Sequence, residues 1–286
     1  MTYCENAIEM KEISKSYGDF ALKSVNLTVP KGSIVGLVGR NGAGKSTLIR
    51  LLTGGAKPDS GGISVLGKRV SDKNFDAVKE EIGVVFDYSG YPPTLTAADI
   101  GKIMKRIYKS WSDNDYLTYL EKLGVPENKK FSEFSQGMKM KFSVAAALSH
   151  KAKLLILDEA TNGLDPAARD DVVRIFGEFT RDPENSVLIT SHIVSDLEKI
   201  CDYICVIADG KIVVDGEKDE LEERYRIVNL SEDEYEAFDK RAAVGMRRER
   251  YGVSVMVDTE ITGNPDEGDR AGIEDLIIYI SGGEEK

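Results

Sequence analysis

The sequence predicts an α/β fold in which a mostly parallel sheet is interrupted by a helical insert. Three observations predict it. Short apolar runs rich in β-branched residues, "SIVGLVG", "AKLLILDEA" and "SVLITSH", suit strands buried on both faces. A block from about Leu95 to His150 carries helical patterns, in "TAADIGKIMKRIYKSW", "DNDYLTYLEKLGV" and "KMKFSVAAALSH". Strands resume after that block, so the helices interrupt the chain order of one sheet.

The elements follow in order. "AIEMKEISKSYG" and "FALKSVNLTVPKG" read as strands and turns, and alternation in "SVNLTV" marks a half-buried antiparallel strand before the Pro30-Lys31-Gly32 turn. "KSTLIRLLTGG" has helical spacing and stops at Gly54 and Gly55. "GISVLGKRV" and "EIGVVFD" are strand-like, and "YICVIADGKIVVDG" predicts a hairpin around Asp209-Gly210. Past about Glu217 the composition turns densely charged, in "EKDELEERYRI" and "RRERYG". The expected division is therefore residues 1–216 as one domain, with a helical subdomain about 88–150, and 217–286 as a C-terminal extension.

Bulk composition narrows the function. The apolar fraction of 41% and charged fraction of 30% are those of a soluble globular protein. A net charge of -11 argues against nucleic acid as the main ligand. "MTYCENAIEM" has neither the basic nor the apolar region of a signal peptide. The apolar runs "LLIL" and "VAAAL" fall far short of the ~20 residues that span a bilayer, so work at a membrane would run through a partner. Cys4, Cys201 and Cys205 show no metal-like spacing, and the latter two are expected in or beside a strand in a reducing compartment.

Three motifs carry chemistry. "GRNGAGKST", Gly39 to Thr47, matches G-x-x-x-x-G-K-[ST] between a predicted strand and a predicted helix. Its glycines let backbone N–H groups approach a polyphosphate, and the helix start adds a positive dipole end. Gly39, Asn41, Gly42, Ala43, Gly44, Lys45, Ser46 and Thr47 are thus phosphate-binding candidates, with Lys45 reaching the terminal phosphates and Ser46 ligating Mg²⁺. "LLILDEA" ends a buried strand in Asp158 and Glu159, where open α/β sheets bind ligands. Asp158 suits a Mg²⁺ shell, and Glu159 suits a base that polarises a water for attack on a γ-phosphate. "LITSH" places His192 after a further strand, near the same phosphate as a hydrogen-bond donor. His150 ends a helix, where a capping or dipole role is expected.

Together these motifs resemble the nucleotide-binding subunit of an ATP-binding cassette (ABC) transporter over about residues 3 to 216. The resemblance implies a P-loop NTPase core with an antiparallel β subdomain, ATP and Mg²⁺ as cofactors, and Tyr17 of "SYG" stacked on adenine. "NGLD" resembles the loop that crosses the dimer interface, with Asp165 as its acid, and His192 matches the switch histidine. "FSQGM" resembles the signature sequence, so Ser135, Gln136 and Gly137 would bind the γ-phosphate held by a second subunit's phosphate loop. Physically, a serine-capped helix start is an anion site. The signature is loose, with Phe134, Gln136 and Met138 in place of the usual residues. Asp87 of "IGVVFD" stands where the family usually has glutamine; a carboxylate can ligate Mg²⁺ but adds negative charge beside phosphates. Tyr88, Tyr91 and Pro92-Pro93 would then lie at the groove for a membrane partner.

The resemblance further implies an integral membrane permease as partner, a second nucleotide-binding subunit, and a place at the inner face of the cell membrane. The tail "AGIEDLIIYISGGEE" resembles subunits serving drug, peptide or lipid exporters, or is one amphipathic helix (Ile273, Leu276, Ile277, Ile280) packed on the core. A non-transport ABC ATPase, serving ribosomes, repair or cofactor assembly, is the alternative. A kinase sharing only the phosphate loop is disfavoured by the signature, Asp165 and His192 together.

Overall fold

A computed structural model describes residues 6–73, 75–87, 90–264 and 268–282. Strands β1 (Asn6–Tyr17) and β2 (Phe20–Pro30) form a hairpin, and β3 (Ile34–Val38) leads into α1 (Lys45–Leu52). Then come β4 (Ser60–Val65), β5 (Lys68–Arg69), α2 (Phe75–Lys79) and β6 (Ile82–Val85). The helical stretch holds α3 (Ala97–Ile107), α4 (Asp113–Lys122) and α5 (Gln136–Leu148). After it β7 (Leu154–Asp158), α6 (Pro166–Phe179), β8 (Ser186–Thr190), α7 (Val194–Ile200), β9 (Tyr203–Ala208) and β10 (Lys211–Glu217) complete the sheet. The remainder is α8 (Lys218–Arg224), β11 (Tyr225–Leu230), α9 (Glu232–Ala237), β12 (Ala243–Glu249), β13 (Gly252–Asp258), α10 (Thr259–Thr262), β14 (Asp269–Arg270) and α11 (Ile273–Gly282).

The central sheet has the order β10-β9-β3-β8-β7-β6, parallel except for β10 at its edge. The antiparallel sheet β2-β1-β4-β5 lies beside it. Every residue of β3 and β8 is buried, as their unbroken apolar sequence requires. Alternate side chains split between two cores: Val35, Leu37, Leu154 and Ile156 pack with the antiparallel sheet and α1. Val38, Leu155, Leu157 and Val187 pack with the helices. In the β9–β10 hairpin Ala208 pairs with Lys211, leaving Asp209 and Gly210 at φ 48° and 75°, the left-handed pair that a tight I′ turn demands.

The helical stretch has an aromatic core. Phe142 is fully buried and meets the rings of Tyr91, Tyr116, Phe131 and Phe134. The reading that placed Tyr91 at a partner groove is corrected: its ring lies edge-on to Phe142 at 4.9 Å and to Phe131 at 5.5 Å, and burial drives its hydroxyl pKa up. Tyr88 and Cys4 lie outside the described residues. His150 is also corrected. Its ring is 1% exposed, stacked on Tyr108 at 4.0 Å and bonded through Nδ1 to the Glu80 carbonyl, and burial pushes its pKa down. A buried neutral ring serves as a packing pillar rather than as a charge on the helix dipole.

Residues past Glu217 build a third sheet, β12-β13-β11-β14. One of its faces carries a small cluster centred on Val253, Val255 and Val257. Ile273, Leu276 and Tyr279 of α11 join the main core, in one cluster with Leu197, Cys201 and Ile204. Cys201 and Cys205 are buried free thiols whose pKa values burial raises.

Candidate active site at the carboxyl end of the central sheet

Strands β3, β6, β7 and β8 run parallel, so the segments that follow them gather at one end of the sheet. The segment after β3 is the phosphate loop. At Gly39 an added Cβ would sit 2.3 Å from the Ile207 carbonyl oxygen, and at Gly44 it would sit 2.7 Å from Leu22 Cδ2. These two glycines let the loop lie flat against β9 and β2. Gly42, with φ 83°, faces open space and supplies backbone freedom instead.

The loop encloses a cavity of about 440 Å³ lined by Phe20, Asn41, Gly42, Gly44, Lys45, Ser46, Thr47, Asp87, Asp158 and Glu159. Lys45 is only 7% exposed, and its ammonium donates to the carbonyls of Gly39 at 2.6 Å and Arg40 at 3.3 Å. Burial lowers its pKa, while Glu159 and Asp158 oppose that shift. Gly39 and Ala43 shape the loop from behind, since Ala43 N–H closes onto the Arg40 carbonyl at 3.1 Å.

The acids are held by a residue that sequence reasoning did not name. Thr190 ends β8 in register with Asp158, and its hydroxyl donates to Asp158 Oδ1 at 2.8 Å. Glu159 N–H in turn donates to the Thr190 carbonyl and hydroxyl oxygens, both at 3.1 Å. This holds Glu159 at φ 55°, a conformation that costs a non-glycine residue about 1–3 kcal/mol and that recurs at functional sites. Glu159 Oε2 accepts from His192 N–H at 3.2 Å and lies 2.7 Å from His192 Nδ1. An ionised carboxylate only accepts, so that contact sets the proton on Nδ1. Asp87 Oδ1 accepts from Asn162 Nδ2 at 3.3 Å. The signal for Thr190 was its place at the end of "SVLIT", one strand over from the acids.

The other sequence candidates lie outside this cavity's lining. Tyr17 ends β1, is 44% exposed, and has the Lys15 ammonium 5.3 Å from its ring centre; the aromatic that lines the cavity is Phe20. Ser135 caps α5, its hydroxyl accepting from Met138 N–H at 3.2 Å. Gln136 and Gly137 open that helix, and an added Cβ on Gly137 would lie 3.0 Å from the Gly163 carbonyl oxygen. Asp165 caps α6, accepting from Ala168 N–H at 3.0 Å, and these backbone donors lower its carboxyl pKa. The signature segment and the loop carrying Asp165 therefore pack on each other.

The donor set fits a magnesium polyphosphate. Among the described residues no three His, Cys, Asp or Glu side chains cluster into a self-sufficient metal site. Ser46, Asp87 and Asp158 are hard oxygen donors beside the phosphate cradle. Mg²⁺ is commonly held this way, by one or two carboxylates plus phosphate oxygens.

A phosphate loop, a hydroxyl, paired acids and a histidine at the carboxyl end of a parallel sheet define a P-loop nucleoside triphosphatase. The family model "ABC transporter" matches residues 22–162. The chain is 33% identical over 229 residues to the bacitracin transport ATP-binding protein BcrA of Enterococcus faecalis, covering 79% of this chain and 74% of that protein. It is 34% identical over 225 residues to the lantibiotic transport ATP-binding protein SrtF of Streptococcus pyogenes, covering 78% and 96%. A solved ATP-binding subunit of an ABC transporter superposes with a TM-score of 0.69 at 26% identity, covering 75% of this chain and 91% of that one. The chain belongs to the ABC transporter ATP-binding subunits: it binds ATP and hydrolyses it to power transport. Such subunits dimerise and work with membrane permeases. Among the described residues no helix is long and apolar enough to cross a membrane.

Proposed function

We propose that this chain drives export of a drug-, peptide- or lipid-like compound through a separate permease, from the inner face of the cell membrane, as one half of a head-to-tail ATP-closed dimer. The observation that carries the dimer is the start of α5. Ser135 and Gln136 are exposed, the helix start is capped, and it packs on the loop of Gly163 rather than lining the chain's own cavity. A capped helix start of that kind can hold an anion, and in a head-to-tail dimer it would meet the second subunit's phosphates. The names of BcrA and SrtF, a bacitracin and a lantibiotic transport protein, support export of peptide-like cargo.

Each residue then has a task. Lys45 and the amides of Gly42 to Thr47 cradle the phosphates, and Tyr17 stacks on the adenine. Ser46, Asp87 and Asp158 hold Mg²⁺, which offsets phosphate charge. Glu159 accepts a proton from the water whose oxygen attacks the γ-phosphorus as the bond to the β-phosphate oxygen breaks and ADP leaves. His192 orients Glu159 in this arrangement and, once released from that contact, donates a ring N–H towards the γ-phosphate. Ser135, Gln136 and Gly137 act across the interface beside Asp165. Residues 1–216 form the ATPase domain in this reading, and 217–286 an accessory unit docked on α7 and β9.

Deleting the gene in its host should raise sensitivity to, or accumulation of, peptide antibiotics of the bacitracin and lantibiotic type. Wild-type chain should restore resistance and Glu159→Gln should not. Loss of uptake of a nutrient instead would replace export with import. Failure to co-purify with any integral membrane protein would favour a non-transport ATPase.

A further inference from the structure

Asp87, Asp158 and Glu159 all face the cavity, against one buried ammonium, that of Lys45. Two of these acids belong to the strand end whose role is assigned above. The third comes from a different segment, just past β6, and is held through one oxygen by Asn162. A neutral amide at position 87 could still offer an oxygen to a metal, but it would not repel phosphate. A carboxylate does both: it binds a hard cation more strongly and opposes an uncompensated polyanion.

We propose that Asp87 sharpens the metal dependence of nucleotide binding, so that the cavity favours a nucleoside triphosphate complexed with a divalent cation over the free polyanion. The inference rests on reading the cavity as a magnesium-nucleotide site. Asp87 is exposed, so water and salt screen its charge. Its share of the discrimination is therefore about tenfold in affinity, well below what a buried charge pair would give.

The test is calorimetric titration of the full chain with adenylyl imidodiphosphate, a non-hydrolysed ATP analogue, at low ionic strength, once with excess Mg²⁺ and once with EDTA. Wild type should bind the magnesium complex far more tightly than the free analogue. Asp87→Asn and Asp87→Gln should each shrink that ratio about tenfold, largely by improving metal-free binding, and added salt should narrow the gap between wild type and variants. An unchanged ratio in both variants overturns the inference and leaves the nucleotide-site reading standing. Equal wild-type affinity for the two forms does the same. Binding of neither form by wild type removes the site reading, and the inference with it.

Discussion

Glu159 and His192 meet at a single carboxylate oxygen, and Thr190 supports both acids from below. Glu159→Gln should abolish measurable hydrolysis, by about 10²–10⁴-fold, while leaving ATP affinity intact; retained turnover would remove Glu159 from the role of base. Thr190→Val removes the donor to Asp158 and one acceptor for Glu159 N–H. Steady-state assays should show hydrolysis about 10- to 100-fold slower, the size of a support-residue loss at a metal site. The meeting of Lys45, Ser46, Asp158 and Glu159 at one cavity was legible in the sequence because each motif is contiguous and its backbone geometry is local. Thr190 was not, because its role comes from strand register. Phe20 was overlooked for a related reason: it pairs with Tyr17 across the β1–β2 turn, and only folding shows that Phe20 lines the cavity.

Helix caps and buried rings decide the behaviour of whole elements. Ser135→Ala deletes the cap of α5 and should lower stability by about 1 kcal/mol, measurable by urea unfolding. Its larger consequence should fall on dimer formation, since the same hydroxyl faces the partner's phosphates in the proposed assembly. His150 locks α5 to the segment after α2. Its folded pKa lies below the ordinary histidine value, so above about pH 6.5 the ring is neutral in both folded and unfolded chains. As pH falls below that value the unfolded chain takes up a proton that the folded chain resists, and stability declines. His150→Phe should flatten the melting temperature profile between about pH 6.5 and 5; an unchanged slope would show that the ring is not responsible. The order of strands and helices along the chain was readable from apolar runs and cap residues, whereas the strand order within the central sheet comes only from pairing. Tyr91 and His150 were misplaced because sequence position near a motif or helix end says nothing about which core a ring enters.

At the scale of the molecule, the segment past Glu217 read as an extension whose tail was one amphipathic helix packed on the core, and α11 does pack there. Charge density marked its surface helices, while Ile273, Leu276 and Tyr279 at the far end of the chain cover Leu197, Cys201 and Ile204. Removing residues 218–286 should therefore expose that apolar patch and yield a less stable, aggregation-prone chain by thermal melting. A fully stable, monodisperse truncation would show that the two parts fold separately. The assembly matters more still, because the signature helix start does not line the chain's own cavity. The most direct test is the mass of Glu159→Gln in solution, by light scattering after size exclusion, with and without Mg-ATP. A shift from monomer to dimer with Mg-ATP, abolished by adding Ser135→Arg, is the predicted result. A chain that binds ATP yet remains monomeric, or a dimer indifferent to Ser135→Arg, would contradict the shared-site account.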